Sequence, residues 1–261
     1  MSNRPSATAA KALGLLSCFD ETVGALGLSD LARAAQQDKT TTLRHAKALI
    51  ETGFLEQDPR TKLYHIGAEV LRLARVREQH NPLASILQSA VDRLSKAFDE
   101  TAHASTLIAG NLTLVATCIG PQQITVQVEQ GLRLPFHSTA SGLAFLAFSE
   151  ASFVDAYLDR PLKAITDRSP TDPATVRALL AEFKAKGHAR SDSYYCDGVR
   201  SYSAPYFDEQ GKPKGALTIQ IPEPRFDTID EAALITQLRA AAEGITHALG
   251  GKISQDFANA A

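Results

Sequence analysis

Apolar residues recur at helical spacing in two runs near the start of the chain, and alternate with polar ones just after them. Residues 28–35 read as a short helix. A polar turn, Gln36-Gln37-Asp38, separates it from a second helix over 39–52. On that second helix Leu43, Ala46, Leu49 and Ile50 share one face. At about 100° per residue, Thr41, Arg44, His45 and Ala48 fall opposite them. Ser29 suits the N-cap of the first helix and Asp38 that of the second, because a side-chain oxygen there accepts an orphan backbone N–H. Gly53 stands where a left-handed residue commonly ends a helix. Two short strand-like arms follow, Phe54-Leu55-Glu56-Gln57 and Lys62-Leu63-Tyr64-His65-Ile66, closed by Asp58-Pro59-Arg60. In the second arm Leu63 and His65 oppose Tyr64 and Ile66.

This order is the sequence form of a winged helix-turn-helix, whose second helix is sized for the DNA major groove. Lys39 and Thr40 lie at the helix N-terminus, the part that usually reaches base edges, and Thr41, Arg44 and His45 continue the polar face. Arg44 suits a phosphate or a guanine edge, and the threonine hydroxyls suit phosphate. Arg60 and Lys62 give the wing a basic tip for phosphate or the minor groove. Ser29 completes the candidate DNA-contacting set. The competing reading is an ordinary helical hairpin with a solvated polar face.

The pattern continues with a helix over 68–79, broken by Asn81-Pro82. Its Val70, Leu71, Leu73, Ala74 and Val76 require cover, either from the wing or from the same helix of a second subunit; the second is favoured, since symmetric pairing presents two recognition helices to a palindromic site. Beyond it the spacing predicts a helix over 83–98, strands over 102–108 and 112–118 joined at Gly110-Asn111 by a loop slightly longer than the tightest type, and a strand over 124–128. An apolar helix follows to Phe148, then one opened by Asp172-Pro173 and ending at Gly187. A second hairpin (201–207 and 215–221) and a helix over 230–249 complete the order. Helix, strands, helices, strands, helix is α+β: an antiparallel sheet with helices packed on it.

A length of 261 residues suggests two domains, here a DNA-binding unit over 8–67, a linker helix over 68–82 and a second domain over 83–251. The overall charge of −2 is uneven: residues 1–80 carry 11 Lys+Arg against 9 Asp+Glu, whereas residues 81–261 carry 16 against 20. Cys18, Cys118 and Cys196 are widely spaced, which fits a reducing cytosol and gives no metal framework. There is no signal-peptide pattern, and no apolar run nears the roughly 18 residues that span a bilayer, so a cytoplasmic protein without membrane contact is expected.

The order of motifs over 9–251 resembles the IclR (isocitrate lyase regulator) type of bacterial transcription regulators. The resemblance is carried by Gly27-Leu28-Ser29-Asp30-Leu31-Ala32, Lys39-Thr40-Thr41-Thr42-Leu43-Arg44 and Gly53-Phe54-Leu55-Glu56, then Leu134-Pro135-Phe136-His137-Ser138-Thr139-Ala140-Ser141-Gly142, and finally Asp197-Gly198-Val199-Arg200-Ser201, Ala204-Pro205 and Gly215-Ala216-Leu217-Thr218-Ile219. It implies a GAF-like effector-binding domain, a homodimer or homotetramer on double-stranded operator DNA, and a small-molecule effector, often a carboxylate from a catabolic pathway. It implies no cofactor. Carried over by position, the effector pocket would involve Leu134, His137, Ala140 and Gly142, then Ser191 and Asp192, then Ser201, Thr218 and Gln220. The chain departs from the family where Ser201 replaces a frequent Cys, Gln220 a small hydroxyl residue, Leu143 a common Lys, and Ser193-Tyr194-Tyr195 acidic residues. Such a pocket suits a carboxylate or hydroxyl group, and Tyr194 and Tyr195 could stack on a ring, which points to an aromatic or hydroxylated acid. The plain alternative for Tyr194, Tyr195 and Tyr202 is sheet packing with the hydroxyl at the surface.

Catalytic patterns are missing. There is no Gly-x-Ser-x-Gly around Ser138, Ser141 or Ser201, and no His-Glu-x-x-His spacing among His103, His137 and His188. Ser138-Thr139 reads as a helix cap, and His103 as a strand residue beside the core rather than a base. A ligand-responsive regulator is therefore expected, with a GAF-type enzyme bearing an accessory winged helix, or a winged-helix adaptor, as the alternatives.

Overall fold

The computed structural model describes residues 7–20, 22–80 and 83–260. The expected break at Asn81-Pro82 lies outside them. The chain divides into two compact units, 1–82 and 83–261.

In the first unit α1 (Ala7–Leu13), α2 (Leu28–Ala34) and α3 (Lys39–Glu51) precede a two-stranded wing, β1 (Leu55–Gln57) and β2 (Tyr64–Ile66). The wing is antiparallel with Glu56 opposite His65, and Tyr64 also bridges back to Leu26. Leu15, Leu31, Ala46, Leu49, Leu55 and Tyr64 form the core. Asp38 caps α3, its Oδ1 accepting from Thr41 N at 2.8 Å. Ser29 does not cap α2: the N-cap is Gly27, and Ser29 lies exposed in the first turn. The helix starts at Leu28 as expected, but its cap lies two residues before Ser29 and no side chain caps its first turn. The fourth helix, α4 (Glu69–His80), carries Val70, Leu71, Leu73 and Val76 as exposed apolar residues.

The second unit is a six-stranded antiparallel sheet, ordered β5-β4-β3-β8-β7-β6. Its elements are α5 (Leu83–Phe98), β3 (Thr101–Ile108), β4 (Asn111–Cys118), β5 (Arg133–Leu134), α6 (Ala140–Ala147), α7 (Ala151–Leu158), α8 (Pro173–Lys186), β6 (Ala189–Asp192), β7 (Val199–Phe207), β8 (Pro213–Pro222), α9 (Glu231–Ala248) and α10 (Gln255–Ala258). The β3–β4 loop is the tightest type after all. Ile108 pairs with Asn111, leaving only Ala109 and Gly110, both at positive φ (47° and 79°). Residues 124–128 alternate but form no strand; of them only Val128 lines the cavity described below.

The period-2 rule sorts the central strands into two faces. Ala102 and Ala104, Tyr202, Ala204 and Tyr206, and Leu217, Ile219 and Ile221 face α5 and α9 in one apolar core. On the opposite face the same strands carry His103, Ser105, Ser201, Ser203, Thr218 and Gln220, all buried. α6 covers this polar face. It is buried on every residue, as a helix apolar all round must be, between the sheet and α8.

Candidate functional site

Two surfaces, one in each unit, bring chemistry-bearing residues together. On α3, Lys39, Thr40, Arg44, Lys47 and Ala48 are exposed, with Thr41 half-buried beside the Asp38 cap. Arg60 and Lys62 are exposed at the wing tip. The turn there is held by Asp58 Oδ1, which accepts from Arg60 N at 2.7 Å and Thr61 N at 2.8 Å, and Lys62 sits at φ 60°. His45 departs from expectation. It is 3 % exposed, with Nδ1 3.0 Å from Gln37 Oε1, while Gln37 Nε2 donates to Lys11 O. One turn from Leu49, it lies on the flank that meets the turn before α3, so it braces the helix from behind. Lys47 is the exposed cation that the expected set lacked; it lies three residues beyond Arg44 on the outer surface, a position that the 100° rotation alone would have found.

In the second unit a cavity lies between α6 and the polar sheet face. Leu134, Ala140, Ser191, Ser201, Thr218 and Gln220 line it, joined by His103, Leu114, Val128, Leu132, Thr139, Ser141, Tyr195, Cys196 and Val199. No Asp, Glu, Lys or Arg is among them. Pairing across the sheet explains the convergence: His103 and Ser203 both face Thr218, and Ser201 faces Gln220. Thr139 caps α6, accepting from Gly142 N at 3.0 Å. The amides of Ala140 and Ser141 in that first turn have no intrahelical acceptor.

Three expected residues point elsewhere. His137 is clamped by Tyr157 Oη (2.6 Å from Nδ1) and Lys163 O (3.0 Å from Nε2), on the α7 side of the chain. Gly142 does not line this cavity; a Cβ there would lie 2.3 Å from Phe136 Cα, so glycine permits the helix to touch the preceding loop. Asp192 alternates away from Ser191 and bonds Arg200 Nε (2.6 Å) and Arg190 Nε (2.8 Å). Burial opposes its ionisation, but these two bonds outweigh burial and hold the carboxyl below its usual range. The tyrosines also separate: Tyr195 lines the cavity, Tyr194 packs into the helix-side core, and Tyr202 is buried in the opposite core.

His103 is the polar centre that residue patterning passed over as a strand residue beside the core. It is 3 % exposed and its Nε2 lies 3.1 Å from Ser141 Oγ. Burial pulls its imidazole down to about 4. Among the described residues no group of three or more His, Cys, Asp or Glu could hold a metal, and no helix is long and apolar enough to cross a membrane.

Comparison with known proteins agrees with this layout. The sequence profile described as "IclR helix-turn-helix domain" matches residues 8–59, and "Bacterial transcriptional regulator IclR C-terminal" matches residues 77–247. The glycerol operon regulatory protein of Streptomyces coelicolor is 30% identical over 194 residues, 74% of this chain and 76% of that protein. The crystal structure of an IclR transcriptional regulator from Silicibacter sp. TM1040 superposes with a TM-score of 0.91 at 37% identity, covering 96% of this chain and 99% of the other. An IclR homologue from Microbacterium hydrocarbonoxydans, solved with 4-hydroxybenzoate, shares the fold at a TM-score of 0.78 and 22% identity, covering 93% and 99%. With both units matched, this chain belongs to the IclR family of DNA-binding bacterial transcriptional regulators, a family of regulators rather than enzymes.

Proposed function

We propose that this regulator controls a catabolic operon in the cytoplasm and responds to a small organic acid, ring-bearing or hydroxylated, held in the cavity under α6. The observation that carries this reading is a buried cavity with a hydroxyl-rich floor and a largely apolar wall. In the absence of a lining cation, the effector carboxylate is received by the free amides at the start of α6, where the helix dipole favours an anion, and by the hydroxyls of Ser191 and Ser201. Leu114, Leu132, Leu134 and Tyr195 surround the carbon skeleton. The 4-hydroxybenzoate bound by the Microbacterium homologue is an acid of this class. Replacing Ser201 by Leu is expected to fill the cavity, abolishing thermal stabilisation by organic acids and the effector response while operator binding without effector persists. A surviving response would place the effector elsewhere.

On the DNA side, Lys39, Thr40, Thr41, Arg44, Lys47 and the wing-tip Arg60 and Lys62 form the operator-contacting face, with Ser29 beside it. The division proposed is 8–67 for DNA binding, 68–82 as linker and 83–251 for the effector. The exposed apolar residues of α4 suit pairing with a second copy, which would make the protein a dimer or a tetramer. Effector occupancy then acts by its different affinity for two arrangements of the paired chains. The expected cost of Arg44→Ala is about 1–3 kcal/mol of operator affinity, with a shallower salt dependence if the contact is to phosphate. Unchanged affinity and slope in gel-shift titrations would remove Arg44 from the recognition face.

A further inference from the structure

The hydroxyls beneath α6 form a chain whose proton positions are determined from one end. Ser203 Oγ lies 3.0 Å from Leu217 O, which can only accept, so Ser203 donates there. Ser203 then accepts from Thr218 Oγ1 at 2.9 Å, Thr218 accepts from Ser141 Oγ at 2.8 Å, and Ser141 accepts from His103 Nε2 at 3.1 Å. Only this arrangement supplies one proton to every contact. With the imidazole proton on Nδ1, three hydroxyl hydrogens would serve four contacts, leaving two lone pairs face to face. The first arrangement puts the His103 proton on Nε2 and leaves Nδ1 a bare acceptor. Its depressed basicity keeps the ring neutral near pH 7.

Among the described residues, Nδ1 of His103 and Oε1 of Gln220 are both buried without a hydrogen-bond partner, and both residues line the cavity. Two acceptors cannot satisfy each other, and a buried acceptor left unpaired is costly. We propose that His103 determines effector specificity: a ring acid binds with a hydroxyl or amino group donating to His103 Nδ1, Gln220 Oε1 being the second acceptor. This rests on the cavity being the effector site. It goes further by fixing which functional group the site demands and which side chain demands it. A counterpart lacking the donor, or carrying an O-methyl in its place, leaves these acceptors unsatisfied, a loss that corresponds to about tenfold to a hundredfold in affinity.

Two measurements on the full chain test this. The first is ¹⁵N NMR of histidine-labelled protein without ligand, with the His103 signals assigned by their loss in His103→Asn. A protonated Nε2 and unprotonated Nδ1 are expected; a proton on Nδ1 overturns the proposal whatever binds. The second is calorimetric titration with 4-hydroxybenzoate, 4-aminobenzoate, benzoate and 4-methoxybenzoate. The two donors should bind at least about tenfold more tightly than the other two, and the gap should close in His103→Leu. Equal affinities in the parent protein, or a gap that survives the substitution, overturn the role of His103 while leaving the cavity as effector site. Binding of all four that is untouched by Ser201→Leu refutes the cavity itself, and binding of none refutes the ring-acid class.

Discussion

Arg225→Ala is expected to destabilise the second unit by about 3 kcal/mol, read as a lower urea midpoint. Glu100 is 2 % exposed at the start of β3, and its carboxylate is held by Arg225 through Nε to Oε1 and through Nη2 to Oε2 at 2.7 Å. A bidentate pair of this kind offsets much of the cost of burying the acid. Without the guanidinium the carboxylate stays desolvated and unpaired, which is why deleting one partner costs more than the pair itself contributes. The lower end of the usual range applies because the arginine side chain keeps 20% of its exposure. The double variant Glu100→Leu/Arg225→Leu should recover most of the loss; if it is as unstable as Arg225→Ala, the pair is not the cause. Arg225 Nη2 also donates to Ile124 O at 2.9 Å, four residues before the cavity-lining Val128, so effector affinity should fall in the single variant as well.

Gly142→Ala should have an effect of similar size, about 3 kcal/mol, by overpacking. The added methyl would lie 2.3 Å from Phe136 Cα and 2.4 Å from Phe136 O, both backbone atoms that cannot swing aside. Relief requires α6 to lift from the 134–139 loop, and α6 carries Ala140 and Ser141 into the cavity. Stability and effector binding should therefore decline together. Gly244→Ala on α9 is the control. Nothing lies within 4 Å of its added Cβ, so the ordinary helix preference for alanine should raise stability by about 0.5–1 kcal/mol. Equal thermal midpoints for Gly142→Ala and the parent protein would show that the loop yields freely.

How far the sequence could be read depended on the range of the interaction concerned. The caps at Asp38, Thr139, Asp172 and Asp230 are local, and each side chain accepts from the amide three residues on. The hairpin expected over 201–207 and 215–221 is present as β7 and β8. Ser29 and the strand expected over 124–128 show the limit of local signals. A capping residue type two positions late, and an alternating pattern that joins no sheet, look the same in sequence as the real features.

For the site, resemblance placed Leu134, Ala140, Ser191, Ser201, Thr218 and Gln220 at positions that do line one cavity. His137, Gly142 and Asp192 do not line that cavity, each sitting one or two residues from a lining position and packing elsewhere. Which side of a loop faces a cavity depends on the neighbour it packs against, here α7, the Phe136 backbone and Arg200.

From the amino-acid order alone came the two-part plan, the helix-turn-helix with its cationic exposed face, and the α+β class, because periodicity, caps and turns act between residues close along the chain. Tertiary structure alone decided that His45 turns inward and that hydrogen bonds run from His103 to Ser141, from Ser141 to Thr218 and from Thr218 to Ser203 under α6. Those contacts join residues as much as 77 positions apart, and only the strand order of the sheet brings them within hydrogen-bonding distance.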